Sequence, residues 1–250
     1  MSKCSINGFT LIELSVVLVI VAILSVGIFS GISAQMNGVK MLESRTQTER
    51  IKQSIAQFVK INQFAPCPDS TGDGLENRTA SQACSFSVGD VPFLDLGLTE
   101  AQVKDGWGNK IRYAVNRQAT ESASICKESS SASYFCNQKV PAFNQQTTPP
   151  IKGDLGSGNY TVCNENVSVC SSETATKNLL ASGISIVLVA YNQDGQESLT
   201  NCDTTTGATA QNCKAGAYYH QAKISSKKAE FFDDYIVTVS GYEIKQWLFK

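Results

Sequence analysis

Hydrophobic and polar positions change rhythm along this chain, and each change predicts an element. From Leu14 to Val39 no residue carries a charge, and Leu14 to Phe29 is almost wholly Val, Ile, Leu and Ala. With Phe9 to Ile12 in front, the run reaches the ~20 apolar residues that a bilayer-crossing helix needs. Beyond it the pattern turns amphipathic. Met36, Val39, Leu42, Ile51, Ile55, Phe58, Val59 and Ile61 recur at roughly helical spacing among Lys40, Glu43, Arg45, Glu49, Arg50, Lys52 and Lys60. Such a stripe buries one helix face against a globular domain. No proline occurs before Pro66, so one helix from about Thr10 to Asn62 is expected, ~80 Å long. Gly27, Gly31 and Gly38 are its weak points, each costing about 1 kcal/mol relative to alanine.

After Asn62 the texture becomes glycine, proline, serine and short apolar runs, and Phe64-Ala65-Pro66-Cys67-Pro68 cannot continue a helix. Leu98 to Lys104 reads as a short helix, with Thr99 and Gln102 spaced as a capping box. Lys110 to Val115 alternates as a strand, and Ile184 to Tyr191 is the strongest core strand of the chain. Asn192-Gln193-Asp194-Gly195 reads as a turn, Asp234 to Ser240 as a further strand, and Tyr242 to Phe249 as either a helix or a strand. A long helix followed by about four strands predicts an α+β fold, with an antiparallel sheet packed on the amphipathic half of the helix. Residues 116–160 and 196–216 are rich in Ser, Thr, Asn and Gln and read as loop insertions stapled by disulfides.

Composition narrows the class. The chain has 250 residues, a formal charge of −1 and 42% hydrophobic residues, which suits a folded protein. Beyond the long helix about 190 residues remain, enough for one domain with its own core. The near-zero charge gives no electrostatic reason to expect nucleic acid as a partner. Of nine cysteines, only Cys4 precedes the apolar run. The others are Cys67, Cys84, Cys126, Cys136, Cys163, Cys170, Cys202 and Cys213, and their density predicts disulfides in an oxidising compartment. Zinc is the competing reading, but there is no Cys-x-x-Cys pair and only one histidine, His220. Nearest neighbours are the simplest pairing: Cys67–Cys84, Cys126–Cys136, Cys163–Cys170 and Cys202–Cys213.

One carboxylate, Glu13, sits just inside the apolar run, where it is costly unless something pairs with it and therefore marks function. Three readings compete. A secretory signal would be cut after Ala34, but its leader has only Lys3 as a basic side chain and its apolar stretch is long. A plain single-span anchor would merely tolerate Glu13. Flanking charge does not orient the span, because Lys40, Arg45, Arg50 and Lys52 outnumber Lys3. The cysteines place the carboxy-terminal part outside the cytoplasm.

The third reading rests on the stretch GFTLIELSVVLVIVAIL, which resembles the prepilin leader of type IV pilins and type II secretion pseudopilins over about residues 8 to 30. The resemblance implies a leader at 1–8, a transmembrane and filament-core helix at 9–31, an amphipathic extension at 32–63 and a globular pilin-like β domain at 64–250. It implies cleavage after Gly8 by a prepilin peptidase and methylation of the new amino terminus at Phe9. Glu13 is then the assembly residue, pairing with the amino terminus of a neighbouring subunit, and a bond within the chain is the alternative. The implied partners are other pilin or pseudopilin subunits, the peptidase, an inner-membrane assembly platform and membrane lipid. The implied location is a single-pass inner-membrane precursor that later joins a pilus or periplasmic pseudopilus, and the chain's length and insertions favour a minor or specialised subunit over the bulk one. A membrane-anchored binding protein or adhesin that never polymerises is the alternative.

Asp105-Gly106-Trp107-Gly108-Asn109-Lys110-Ile111-Arg112-Tyr113 resembles a loop before a strand in major pseudopilins, with Gly106 where that loop often has proline. Trp107 reads as a core anchor. Asp69, Thr71, Asp73, the Leu75 carbonyl and Glu76 alternate oxygen-bearing groups with glycines, so calcium is the cofactor this loop would take, and a glycine-rich turn is the alternative. No catalysis is expected. His220 has no motif around it and reads as a surface or strand-end residue. Asp233 and Asp234 are adjacent, which in a strand sends their side chains to opposite faces. No phosphate loop or nucleophile elbow is present.

Overall fold

A computed structural model describes residues 10–121, 131–137, 158–166, 169–200, 202, 208–214, 216–225, 227 and 231–249, with backbone alone at 25–34, 131 and 249. The chain divides into two compact units, Met1–Lys40 and Met41–Lys250. Helix α1 runs Leu11–Asn62 and contributes to both. In the first unit the described apolar side chains of the helix are exposed, from Leu11 at 88% to Leu24 at 60%.

No helix is long and apolar enough, among the described residues, to cross a membrane. The expected span runs through residues 25–34, whose side chains lie outside the described set. The apolar run described before them ends at Leu24, short of the ~20 residues a crossing requires.

The second unit is built on strand β4. In chain order the strands are β1 (Val88–Asp90), β2 (Arg112–Val115), β3 (Tyr160–Cys163), β4 (Leu179–Ala190), β5 (Tyr218–His220) and β6 (Tyr235–Ser240). The sheet order is β1-β2-β4-β3-β5, with β6 also paired to β4. The sheet is mixed rather than purely antiparallel, because β3 and β5 run parallel. Parallel neighbours need a long crossover. The chain between Cys163 and Tyr218 supplies one, with α2 (Ser172–Asn178), β4, α3 (Gly195–Thr200) and α4 (Ala208–Cys213) along it. The segment read as a polar insertion at 196–216 therefore contains the short helices α3 and α4.

Side-chain alternation explains why Ile184 to Tyr191 is apolar at almost every position. Ile186, Leu188 and Ala190 share a core with Tyr113 and Val115 of β2, Val237 and Val239 of β6, and Ile51, Ile55 and Val59 of α1. Val187, Val189 and Tyr191 point to the other face, with Ala114, Tyr160, Val162 and Tyr219. A strand covered on both faces loses the polar half of its period. Ile184 belongs to the second cluster despite its parity with Ile186, because a register irregularity separates the two in the β4–β6 ladder.

The buried line on α1 is Ser44, Thr48, Ile51, Ile55 and Val59, while Met36, Val39, Leu42 and Ile61 are exposed. The hydrophobic stripe thus marked the docking face only over its second half. The Ser44 and Thr48 positions are polar because they are bonded: Thr48 Oγ1 donates to the Ser44 carbonyl at 2.7 Å, and Ser44 Oγ accepts the Gly106 N–H at 2.9 Å. Leu98 to Lys104 contains a 3-10 turn, Glu100–Val103, with the Thr99 N–H on Gln102 Oε1 at 2.9 Å. The chain closes with α5 (Gly241–Phe249), tied to α1 by the Lys52–Glu243 pair at 2.8 Å. Trp107 is half-buried, and the tryptophan packed against the main core is Trp247. The Asp105 carboxylate draws the Trp107 and Asn109 N–H groups into a tight turn, which leaves Trp107 at its rim.

Where α1 ends, Arg78 gathers the chain. Its guanidinium donates to the carbonyls of Ala65, Gln82 and Phe135, pairs with both oxygens of Glu76 at 3.0 and 2.8 Å, and lies 4.7 Å from the Phe64 ring centre. Glu76 also accepts the Cys67 N–H at 2.9 Å. Disulfides join Cys67 to Cys84, Cys163 to Cys170 and Cys202 to Cys213, across 17, 7 and 11 residues. Closing loops of this size stabilises a fold by about 2–3 kcal/mol each in the chain-entropy account. Cys136 is disulfide-bonded, while Cys126 lies outside the described residues.

Removing one partner of a largely buried, hydrogen-bonded ion pair is costly because the other charge is stranded. Arg78→Ala is expected to destabilise the second unit by about 3 kcal/mol, read as a lower urea midpoint with an unchanged m-value. Arg78→Lys is expected to recover only part of this, since an ammonium cannot reproduce the planar fork.

Candidate functional site

Gly8 and Phe9 lie outside the described residues, which begin at Thr10. Thr10 precedes the first turn of α1, and Glu13 is the acidic residue of that turn. Glu13 Oε2 accepts the Thr10 N–H at 2.9 Å and the Thr10 hydroxyl at 2.8 Å, while the Glu13 N–H reaches back to Thr10 Oγ1 at 3.3 Å. This reciprocal arrangement is a capping box, which satisfies backbone donors that a helix start otherwise leaves open. It also explains how a carboxylate can stand at the head of an apolar helix: the helix dipole and two donors favour its charge there. In the single chain, Glu13 is therefore held by its own helix. Both donors converge on Oε2, and a carboxylate offers roughly four acceptor positions in all.

A second constellation lies where the chain leaves β4. The 3-10 turn Asn192–Asp194 follows Tyr191, and Asp233 and Asp234 lead into β6. Carboxylate oxygens of Asp194, Asp233 and Asp234 lie within 4.8 Å of one another, and this is the one cluster of acidic, His or Cys side chains close enough to hold a metal among the described residues. The expectation that Asp233 and Asp234 could not act together is corrected here. Both precede the strand, so the two-residue alternation of extended chain does not separate them.

The surroundings of the cluster are polar but dense. The Gln193 N–H donates to Asp233 Oδ2 at 2.7 Å, and Asn212 Nδ2 donates to Asp234 Oδ2 at 2.7 Å. Asn192, buried at a positive φ of 57°, donates its side-chain amide to the Asp233 carbonyl and its N–H to Asp105 Oδ2. Burial pushes the Asp233 carboxyl up to about 7 against the pull of the Gln193 N–H, with Asp194 and Asp105 adding to the rise. Burial raises Asp234 well above the usual carboxylate range despite the Asn212 amide, and burial raises Asp194 as well. Buried like charges resist simultaneous ionisation. Such a cluster can retain protons, or exchange them for a hard divalent cation with oxygen ligands.

The loop from Asp69 to Asn77 is arranged differently. Asp69 is 2% exposed, and its carboxylate accepts N–H groups from Thr71 at 2.9 Å, Gly72 at 2.7 Å and Gly74 at 2.7 Å, with the Thr71 hydroxyl at 3.2 Å. Asp73 accepts the Leu75 N–H at 3.0 Å, and Glu76 is engaged by Arg78 and Cys67. Donors thus converge on the oxygens that a calcium ion would need. Burial alone would raise the Asp69 pKa, but the Gly74, Gly72 and Thr71 bonds outweigh it and hold the group below its ordinary value. The geometry favours the glycine-rich turn, in which Gly72 and Gly74 take positive φ.

His220 ends β5 but is buried, with its Nε2 within 3.1 Å of the Asn164 carbonyl and its N–H on Asn212 Oδ1 at 2.8 Å. Reading from sequence missed Arg78, Asn192 and Asp194. The acid in the turn after the strongest strand and the acid pair before the last strand were the available signals for the cluster. Nothing in the pattern distinguished Arg78.

Residues 4–29 match the protein-family model described as the prokaryotic N-terminal methylation motif. Neither the curated proteins nor the solved structures contain a match to the chain.

Two outcomes follow from the acids of the second unit. Because the folded Asp233 keeps its proton to about pH 7 while an unfolded aspartate loses it near 3.9, the folded state binds more protons between these values. In the presence of a chelator, stability is therefore expected to fall as pH rises from about 4 to 7, and Asp233→Asn should flatten that slope in thermal melts. Asp69 has the opposite sign, so its contribution is lost only as pH falls below the ordinary aspartate range. Asp69→Ala should cost about 2–3 kcal/mol at neutral pH by stranding backbone donors, measured by urea denaturation.

Proposed function

Taking as premise that residues 4–29 form a prepilin-type cleavage and methylation segment, we propose that this chain is a structural subunit of a type IV pilus or type II secretion pseudopilus, in a minor or specialised role. The match at the amino terminus is the observation that carries the reading. A pilin-like or pseudopilin-like prepilin is made as a membrane-anchored precursor, and here the peptidase would cut after Gly8 and methylate Phe9. The partners would be other pilin-type subunits, the prepilin peptidase and the inner-membrane assembly platform.

Three physical features support this reading. The Leu11–Leu24 part of α1 is a uniformly exposed apolar surface, which is stable only against lipid or other helices. Glu13 stands at its head as an acid whose present partners are neutral donors, Thr10 N–H and hydroxyl. A cationic amino terminus made by cleavage after Gly8 would be a stronger, charge-assisted partner for it. The disulfide-bonded second unit suits a compartment outside the cytoplasm. The role is structural rather than catalytic, with the acid cluster acting on stability.

Mass analysis of the mature protein, extracted from cells that hold a prepilin peptidase, is expected to find an amino terminus at Phe9 carrying one methyl group. An intact Met1 or a start at Gln35 would overturn the reading. Glu13→Leu is expected to leave cleavage and membrane insertion intact and to abolish incorporation into sheared filaments, as read by immunoblot. Unchanged incorporation would favour a membrane-anchored binding protein that does not polymerise.

A further inference from the structure

No further inference is drawn: the strongest candidate, the Asp194, Asp233 and Asp234 cluster where the turn after β4 meets the start of β6, belongs to the site already described.

Discussion

Double-sided burial of β4 is the constraint on which the second unit depends. That strand pairs with β2, β3 and β6, and it sends Ile186 and Leu188 to one core and Val187 and Val189 to the other. A strand in this position cannot slip by one residue without exchanging every contact on both faces. Its neighbours inherit that register. The lower part of α1 docks on the first face through Ile51, Ile55 and Val59. On the second face, Tyr191 bonds the Asn212 carbonyl of α4.

Rigidity at β4 also accounts for where the buried acids are found. The strand ends at Ala190, and the chain must turn at once, with Asn192 in a left-handed conformation. That turn is secured from two directions, by Asp105 from the loop before β2 and by Asp233 from the approach to β6. Asp233 serves there as a buried acceptor, and its carboxylate lies beside those of Asp194 and Asp234. Burial raises all three carboxyls above their ordinary range, so the cluster holds protons that free aspartates lose.

The amino-terminal half follows a different physical logic. Its described apolar side chains from Leu11 to Leu24 are exposed, and Glu13 is satisfied by the first turn of its own helix. Thr10 and Glu13 make a local structure that is stable before any partner arrives. Any other partner of Glu13 has to compete with this intrachain contact to neutral donors.

Much of this was legible in the residues alone. Residues 4–29, which match the methylation motif, are a contiguous string, so their apolar run and Glu13 could be read directly, as could the extent of α1, which ends ahead of Pro66. The apolar string Ile184–Tyr191 announced a buried strand, and the short spacings of Cys67–Cys84, Cys163–Cys170 and Cys202–Cys213 suggested pairs that the structure contains. Tertiary structure decided the rest. The docking face of α1 runs through Ser44 and Thr48, which look like solvent residues until their bonds are known. The parallel β3–β5 pairing, the bonds from Arg78 to the Ala65 and Phe135 carbonyls and the meeting of Asp194 with Asp233 and Asp234 all join residues apart in the chain. Local periodicity reports how each segment divides its surface between water and apolar surroundings. Which buried polar groups satisfy one another depends on distances that only the folded chain sets.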